Sequence, residues 1–368
     1  MRFLFVGRFP EIGGSALATL PLIEALREAE HTVLLAHWVV PRRTDWFSQL
    51  DLCNLDLAQQ GNLLSKIRCL TQLAIQCDII IAVSELTPTY ACQIAGWLTK
   101  KPVYAELQVH LDSWIKQNSS PLHHWLIRSL YPHLSGLRCV SKALLTYATK
   151  DLGIDKQKSF LVYNGFDLQQ IQIQAQAALP QSMESWFTST TVLCVGRLSQ
   201  QKRFDLAILA FQQAQPKLPS DARLVIIGDG PLYTELQQLI AGLNLQNSVF
   251  LAGLQTNPFP FFANAALFLL SSDYEGFGRV LIEAMACGCP VIAHDCPVGP
   301  REVLEEGKSG LLVTDNQPTT LADAMILLLQ NSSWRQQLIE SGYLRCYDFE
   351  QTTLTQQHVQ LLTQHSTH

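Results

Sequence analysis

Short apolar runs alternate with amphipathic segments along most of the chain, and this alternation limits the folds that are open to it. In the first half, helical segments such as residues 15–27 and 142–151 separate the apolar runs. Strands joined by helical crossovers pair in parallel and are covered on both faces, so they are apolar throughout. The pattern predicts an α/β protein with buried strands at residues 2–7, 32–38, 79–84, 103–107, 137–141 and 159–163.

The alternation stops once and then restarts, which indicates two domains. Residues 167–189 are rich in Gln and contain no strand-like run, as expected of a linker with an irregular helix. A chain of 368 residues also exceeds what one hydrophobic core usually serves. After the interruption, strands are predicted at residues 191–196, 224–228, 249–253, 267–271 and 290–293.

The predicted fold is two Rossmann-like parallel-sheet domains that face each other across a cleft. We expect a first domain at residues 1–168, a second at residues 169–348, and a terminal helix in residues 349–368 that returns toward the first. Ligands of such sheets bind beyond the carboxyl ends of the strands. Loops that follow strands are therefore where functional residues are expected.

Composition and charge exclude several classes of protein. The apolar run at residues 3–6 is too short for a membrane span or a signal peptide, which predicts a cytoplasmic protein. The ten scattered cysteines are expected to be reduced core thiols. Residues 1–170 carry 16 Lys and Arg against 14 Asp and Glu, whereas residues 171–368 carry 10 against 17. This asymmetry permits peripheral contact of the first domain with the inner face of the cytoplasmic membrane, and it excludes a nucleic-acid partner.

Two cations follow the first predicted strand of the second domain. Arg197 and Lys202 are separated by Leu-Ser-Gln-Gln and precede a helix that is predicted to start at Phe204. Side-chain cations can stabilise a leaving diphosphate where other enzymes use a divalent metal. The sequence has no acidic cage with clear metal-ligand spacing, so it predicts neither a metal site nor another cofactor.

Two carboxylates lie eight residues apart in the same domain. Glu275 is expected in a loop and Glu283 about one turn into the next helix, so the two would reach different parts of a ligand. Carboxylates accept hydrogen bonds from sugar hydroxyls, and cations bind phosphates, so the four charged residues together suit a nucleotide sugar. A surface ion pair between Arg279 and Glu283, four residues apart on a helix, is the alternative interpretation.

Glycines after predicted strands provide places where backbone N–H groups can approach an anion or a sugar. A plain tight turn explains Gly13 and Gly14 equally well, because the glycine spacing there does not form a dinucleotide fingerprint. The candidates are Gly13, Gly14, Gly228, Gly276 and Gly278. In the first domain, His110 follows the strand at residues 103–107 and is the best candidate for a polar group facing the cleft, although structural histidines are more common.

Four segments together resemble the family-4 retaining glycosyltransferases of the GT-B fold. They cover the second domain almost continuously, whereas the first domain matches through fewer residues. The segments are Gly196-Arg-Leu-Ser-Gln-Gln-Lys202, Gly228-Asp-Gly-Pro231, Glu275-Gly-Phe-Gly with Glu283-Ala-Met-Ala-Cys-Gly-Cys-Pro290, and Asn164-Gly-Phe-Asp167.

The resemblance implies a metal-independent transfer that retains anomeric configuration, in which the leaving phosphate helps to deprotonate an acceptor attacking from the same face. The implied donor is a nucleotide sugar, expected to be UDP-linked. The implied catalytic residues are His110, near C6 of the sugar, Arg197 and Lys202 on the diphosphate, and Glu275 on the sugar, while Glu283 holds the ribose. The full predicted donor-binding set is Gly13, Gly14, Arg197, Lys202, Gly228, Leu254, Glu275, Gly276, Phe277, Gly278, Leu281 and Glu283.

The run from Asp295 to Glu302 is similar to the branch that extends lipid-linked or polysaccharide glycans, using UDP-N-acetylhexosamines or UDP-hexoses. In this run, Arg301 is either a second phosphate-binding cation or an ion-pair partner of Glu302. The chain departs from the family at Glu106, in a segment that lacks the usual His-Asp pair before His110. The alternative functions are a nucleotide-sugar 2-epimerase of the same fold and a non-catalytic partner subunit.

A group of apolar and basic residues in the first domain is interpreted either as a surface that touches a bilayer or as a buried helix face. This group and the positive charge of residues 1–170 together motivate the hypothesis of peripheral membrane association. The residues are Trp114, Lys116, Trp125, Leu126, Arg128 and Tyr131.

Overall fold

The computed structural model describes residues 1–9, 14–39, 53–118 and 121–364. Within them the chain divides into two units, Met1–Phe166 with Gln351–His368, and Asp167–Glu350. Each unit is built on one sheet. The second unit begins two residues before, and ends two residues after, the limits expected from the sequence.

The N-terminal unit contains a seven-stranded sheet in the order β3-β2-β1-β4-β5-β6-β7, and every neighbouring pair is parallel. The strands are β1 (Arg2–Gly7), β2 (Thr32–His37), β3 (Cys53–Asp56), β4 (Ile79–Ala82), β5 (Val103–Leu107), β6 (Gly136–Cys139) and β7 (Ser159–Leu161). The helices between them are α1 (Gly14–Glu28), α2 (Leu63–Ala74), α3 (Thr87–Thr99), α4 (Leu111–Asn118), α5 (Pro121–Leu130) and α6 (Lys142–Lys150).

The centre of this sheet is apolar because it is covered on both faces. Phe3, Phe5 and Ile79 are fully buried, and β1 pairs with β2 on one side and with β4 on the other. The strand order therefore changes direction at β1, where β2 and β3 extend the sheet one way and β4 to β7 the other. Loops diverge at such a point, which is where doubly wound sheets bind ligands.

The C-terminal unit contains a six-stranded parallel sheet in the order β10-β9-β8-β11-β12-β13. Its strands are β8 (Thr191–Val195), β9 (Arg223–Ile227), β10 (Val249–Gly253), β11 (Leu267–Leu270), β12 (Val291–His294) and β13 (Leu311–Val313). Its helices are α7 (Leu168–Ala175), α8 (Phe204–Ala214), α9 (Tyr233–Gly242), α10 (Phe259–Asn264), α11 (Arg279–Ala286), α12 (Pro300–Val303), α13 (Pro318–Gln330) and α14 (Ser332–Cys346).

The chain then returns to the N-terminal unit through α15 (Gln351–Gln364). Leu354, His358 and Leu362 are buried at intervals of four residues, so they lie on one face of this helix. Leu362 joins the core cluster that contains Phe3 and Phe5. The helix thus completes the hydrophobic core of the N-terminal unit, although the rest of that unit ends at Phe166.

The α/β prediction is confirmed, since both sheets are parallel and helices connect their strands. Each of the eleven predicted strands is present with bounds that differ by two residues or fewer. The sequence analysis missed β3 and β13, which have only four and three residues. The region predicted as a linker contains α7 and a 3₁₀ turn at Glu184–Trp186. None of the helices in the described ranges has both the length and the apolar character needed to cross a membrane.

Candidate functional site

Two loops of the C-terminal unit bring the predicted charged residues together. One loop follows β8 and carries Arg197 and Lys202, and the other follows β11 and carries Glu275. Because β8 and β11 are paired neighbours, their carboxyl ends lie side by side at one edge of the sheet. Residues about 70 positions apart in sequence therefore meet here.

Lys202 and Glu275 form a direct ion pair at this edge. The Lys202 Nζ donates to Glu275 Oε1 at 2.6 Å, and the two side chains are 16% and 9% exposed. Arg197 lies in the same loop with an exposed side chain. The two residues that were predicted to bind different parts of a ligand thus bind each other.

Hydrogen bonds to main-chain groups fix the two loops to each other near this pair. Gln201 Nε2 donates to the Tyr274 carbonyl (2.8 Å), and the Asp273 N–H donates to the Gln201 carbonyl (2.9 Å). The Ser271 hydroxyl donates to the Lys202 carbonyl (2.8 Å). Gln201 and Lys202 are therefore hydrogen-bonded to residues 271–274, which lead directly to Glu275.

A third loop, which follows β9, packs against the Arg197 loop through glycine. A Cβ on Gly228 would lie 1.8 Å from the Gly196 carbonyl oxygen, and one on Gly230 would lie 2.4 Å from the Leu198 carbonyl oxygen. The Leu198 N–H donates to the Asp229 carbonyl (3.0 Å), so the two backbones run in contact. The structure thus explains Gly228 by backbone packing, because any side chain would separate the loops.

Glu283 occupies α11, the helix that follows the Glu275 loop. Arg279 Nε lies 3.9 Å from Glu283 Oε1, so the ion pair considered as an alternative is present, with both side chains mostly buried. Burial raises the pKa of the Glu283 carboxyl, and the positive charges of Arg279 and Lys202 oppose this shift. The effect of Lys202 shows that Glu283 also lies near the site, so the ion pair and a ligand-binding role are compatible.

The apolar members of the predicted donor set differ in exposure. Phe277 is 3% exposed and packs edge-on against Phe349 with ring centroids 5.4 Å apart, and Leu281 is fully buried. Leu254 is 57% exposed, directly after β10. Gly278 has φ of 88° and caps α11, a conformation that favours glycine. Gly276 is buried beside Phe277. The side chains of Phe277 and Leu281 are therefore buried, and their predicted contact with the donor stays a prediction.

His110 lies in the N-terminal unit, just before α4. Its Nδ1 accepts a hydrogen bond from the Ser113 N–H (3.3 Å), so the neutral ring carries its proton on Nε2. The ring contacts that of Tyr147 with centroids 4.2 Å apart. Burial lowers the pKa of His110, against the opposing effect of Asp112 and Asp151. It lines a pocket of about 320 Å³.

Two further N-terminal candidates fall at the edge of what is described. Gly13 lies outside the described residues, and Gly14 is the first residue of α1. Their predicted contact with a phosphate stays a prediction.

Glu106, where the chain departs from the family pattern, is a buried structural carboxylate. It is 1% exposed, pairs with Arg138 Nη1 at 3.1 Å and accepts from Gln108 Nε2 at 2.6 Å. Arg138 also donates to the Val162 and Tyr163 carbonyls and to Asn164 Oδ1. Arg138 was not predicted as a functional or structural residue. Its position inside an apolar strand run was nevertheless a signal, because a buried arginine requires a buried partner.

The guanidinium of Arg301 contacts Asp295 and, at 2.8 Å, Glu306 Oε2. One interpretation requires correction. Tyr131, proposed as part of a bilayer-facing surface, is fully buried, and its hydroxyl accepts from the Leu86 N–H at 3.1 Å. An apolar ring and a hydroxyl that can be satisfied internally favour the core position.

The remaining residues of that proposed surface are on or near α4 and α5. Trp125 is 63% exposed, and its neighbour Leu122, one helical turn earlier, is 64% exposed. Lys116 and Arg128 are exposed as well, but Arg128 is engaged by His124 and the Asp151 carbonyl. In the described part of the chain, no group of three or more His, Cys, Asp or Glu residues is arranged to hold a metal ion.

Comparison with known proteins connects this site to a family. Residues 182–345, which include both loops of the site, match the family described as Glycosyl transferases group 1. The chain is 31% identical over 242 residues to N-acetylgalactosamine-N,N'-diacetylbacillosaminyl-diphospho-undecaprenol 4-alpha-N-acetylgalactosaminyltransferase of Campylobacter jejuni, covering 66% of this chain and 64% of that protein. It is 32% identical over 149 residues to poly(glycerol-phosphate) alpha-glucosyltransferase of Bacillus subtilis, covering 40% and 22%. The chain thus spans less than two thirds of the length of these relatives.

Solved structures share the fold over the whole chain. HepE from Anabaena, in complex with UDP and glucose, superposes with a TM-score of 0.85 at 23% identity, covering 99% of this chain and 100% of that one. The lipopolysaccharide outer core galactosyltransferase WaaB in its apo form gives 0.74 at 17% identity, covering 99% of both chains. At this identity the likeness establishes the fold alone. Residues 182–345 thus match glycosyl transferases group 1, within a chain that has the GT-B fold of these structures.

Proposed function

We propose that the protein is a metal-independent, retaining glycosyltransferase that moves a hexose or N-acetylhexosamine from a UDP-sugar to a lipid-linked or cell-envelope glycan. The observation that carries the proposal is the Lys202–Glu275 pair beside Arg197, at the carboxyl edge of a sheet whose sequence matches glycosyl transferases group 1. Cations and a carboxylate in one place suit a ligand with a diphosphate and a sugar.

In this proposal, the diphosphate competes with Glu275 for Lys202. A diphosphate carries more negative charge than one carboxylate, so the Lys202 ammonium moves from Glu275 to a phosphate oxygen when the donor binds. The Glu275 carboxylate is then free to accept hydrogen bonds from sugar hydroxyls. Recognition of the diphosphate and of the sugar are thereby linked through one ion pair.

The transfer step breaks the bond between the sugar anomeric carbon and the diphosphate oxygen. Lys202 and the exposed Arg197 stabilise the negative charge that develops on the leaving diphosphate. The acceptor oxygen bonds to the anomeric carbon from the same face, and its proton passes to the leaving phosphate oxygen. Glu283 binds the ribose, and His110 stays the predicted contact with the sugar.

The choice of acceptor rests on the relatives. The printed name of the Campylobacter relative contains a diphospho-undecaprenol carrier, and that of the Bacillus relative a poly(glycerol-phosphate) chain. Both names contain phosphate groups, which are anionic. We extend this class to the present chain, together with a peripheral position at the cytoplasmic membrane.

The test is a titration of the protein with UDP-, GDP- and ADP-sugars in the presence of EDTA, following heat of binding and slow donor hydrolysis. We expect selective hydrolysis of one UDP-sugar, reduced about 100-fold or more in Lys202→Ala and Glu275→Ala. Lys308→Ala, which removes an exposed cation of the same unit, is the matched control. An absence of binding by every nucleotide sugar, or conversion of the donor to its 2-epimer, would overturn the proposal.

Membrane contact is tested separately with anionic liposomes at low salt. We expect binding that is weakened by the double substitution Leu122→Ser and Trp125→Ser, because both side chains are exposed on α5. Leu344→Ser, at an exposed position of the C-terminal unit, is the control. Equal binding by all three proteins would remove α5 from the proposal.

A further inference from the structure

Arg203 adopts a backbone conformation that is unfavourable for its residue type. It has φ of 48° and ψ of 43°, in the left-handed region, directly after Lys202 and directly before α8. A residue with a Cβ is uncommon there, and glycine would be the ordinary choice. Such strain persists where surrounding contacts over-determine it.

The side chain of Arg203 provides those contacts. Its Nε and Nη2 donate to the Asp205 carboxylate at 3.1 and 3.0 Å, and its Nη1 donates to Asp273 Oδ1 at 3.3 Å. Asp205 lies in the first turn of α8, whereas Asp273 lies in the loop that leads from β11 to Glu275. One guanidinium therefore joins the two loops of the site.

Asp273 is held from a second direction. Asn316 Nδ2 donates to Asp273 Oδ1 (3.2 Å) and to the Ser271 carbonyl (2.9 Å). The Ser271 hydroxyl in turn contacts the carbonyl oxygens of Lys202 and Arg203, at 2.8 and 3.0 Å. The backbone is thus fixed to the segment that carries Glu275 at two successive residues. The first attachment is at the Lys202 carbonyl, and the second is at Arg203.

We infer that Arg203 is a positioning residue, which sets the placement of Lys202 relative to Glu275 and so tunes donor binding. The inference rests on the proposed function for its effect on the donor. A surface ion pair without this role would not need the left-handed conformation. That conformation starts α8 and lets one fork reach a carboxylate on α8 and another on the loop that carries Glu275.

The central variant is Arg203→Gly, since it removes the bridge and relieves the backbone strain together. We expect the thermal midpoint to stay the same or rise, while kcat/KM for donor hydrolysis falls about 10- to 100-fold through misplacement of Lys202. Arg203→Lys keeps the charge but not the fork, so it should fall between Arg203→Gly and the unaltered protein. Unchanged kcat/KM in Arg203→Gly would overturn the inference.

The matched control is Asn244→Gly. Asn244 also has a left-handed conformation (φ 57°), but it follows α9 and leads into β10, at the amino edge of the same sheet. This variant places glycine at a left-handed position away from the site, so its kcat/KM should equal that of the unaltered protein. A loss equal to that of Arg203→Gly would mean that backbone rigidity, and not the bridge, determines activity.

Hydrogen exchange separates this inference from the proposed function, because it needs no donor. In Arg203→Gly, amide exchange of residues 271–276 should accelerate, since the Asp273 N–H bond to Gln201 loses its support. Exchange in β10 should stay unchanged. If no sugar donor is found but exchange accelerates, the positioning stands and the proposed function fails; unchanged exchange at residues 271–276 overturns the positioning.

Discussion

The two units each contain an ion pair between neighbouring strands or the loops that follow them, and the two pairs differ in what surrounds them. Glu106 and Arg138 are direct register partners on β5 and β6, with side chains 1% and 5% exposed. Lys202 and Glu275 lie in loops beyond β8 and β11, at 16% and 9%. Arg138 donates to three further acceptors, whereas Glu275 is the partner of the Lys202 ammonium among the described residues.

The comparison distinguishes a structural pair from one that can exchange partners. Arg138 uses four of its five N–H donors on Glu106 and on the three further acceptors, so it has one left to offer a ligand. A lysine at a sheet edge retains two of its three donors, so a phosphate can be bound there without breaking the fold. The presence of charged residues therefore does not by itself identify a ligand-binding site. The number of unused N–H donors near the carboxyl edge of the sheet is the better indication.

The largest expected effect is loss of stability in Arg138→Met. Removing the guanidinium leaves the Glu106 carboxylate buried without its countercharge, which should lower the free energy of unfolding by about 3–5 kcal/mol. Lys202→Met should cost less, about 2 kcal/mol, because its partner lies nearer to solvent. Urea denaturation measures both. Equal losses would end the distinction between the two pairs.

A smaller effect is expected from acid, through the histidine that lies near Arg138. Burial, and then the charge of Arg138, lower the pKa of His358 well below its ordinary value of 6.5. The unfolded chain therefore binds a proton that the folded chain does not, so stability is complete above pH 6.5 and is lost as the pH falls below it.

The expected loss is about 1.4 kcal/mol between pH 7.5 and 5.5. His358→Gln should remove this part of the pH dependence, as measured by urea denaturation at both pH values. His368→Gln controls for the loss of a histidine. A pH slope that is the same in His358→Gln and in the unaltered protein would contradict the assignment.

The smallest effect concerns the exchangeable pair. In Glu275→Gln, the Lys202 ammonium no longer has a carboxylate to leave, so UDP should bind about 1 kcal/mol more tightly, or roughly fivefold. Isothermal titration with UDP measures this, with Glu235→Gln on the exposed face of α9 as control. Weaker binding of UDP in Glu275→Gln would show that this carboxylate helps to hold the nucleotide and does not compete with it.

The strand pattern and the charged set could be predicted from the sequence because each depends on local spacing. Uniform apolar runs revealed the buried strands. β3 was missed because two of its four residues, Asn54 and Asp56, are polar, and β13 was missed because its apolar run has only three residues. The adjacency of β8 and β11, which joins Lys202 to Glu275, depends on strand order, and local spacing carries no information about it.

The directions of side chains also could not be predicted from the sequence. Phe277 and Leu281 were predicted donor contacts, but a buried helix face and a contact with Phe349 direct them into the core. Arg203 was overlooked because a cation beside Lys202 looks like ordinary loop charge. Its importance is visible only in its backbone angles and in the positions of Asp205 and Asp273.

The return of α15 to the first unit has a consequence for biosynthesis. A nascent chain leaves the ribosome from its N-terminus, so all of residues 167–350 emerge before the helix that supplies Leu362 to the first core. The second unit can fold while the first still exposes apolar surface where α15 will pack. Translation speed and chaperone capture should therefore affect the first unit more than the second, although the first is made earlier.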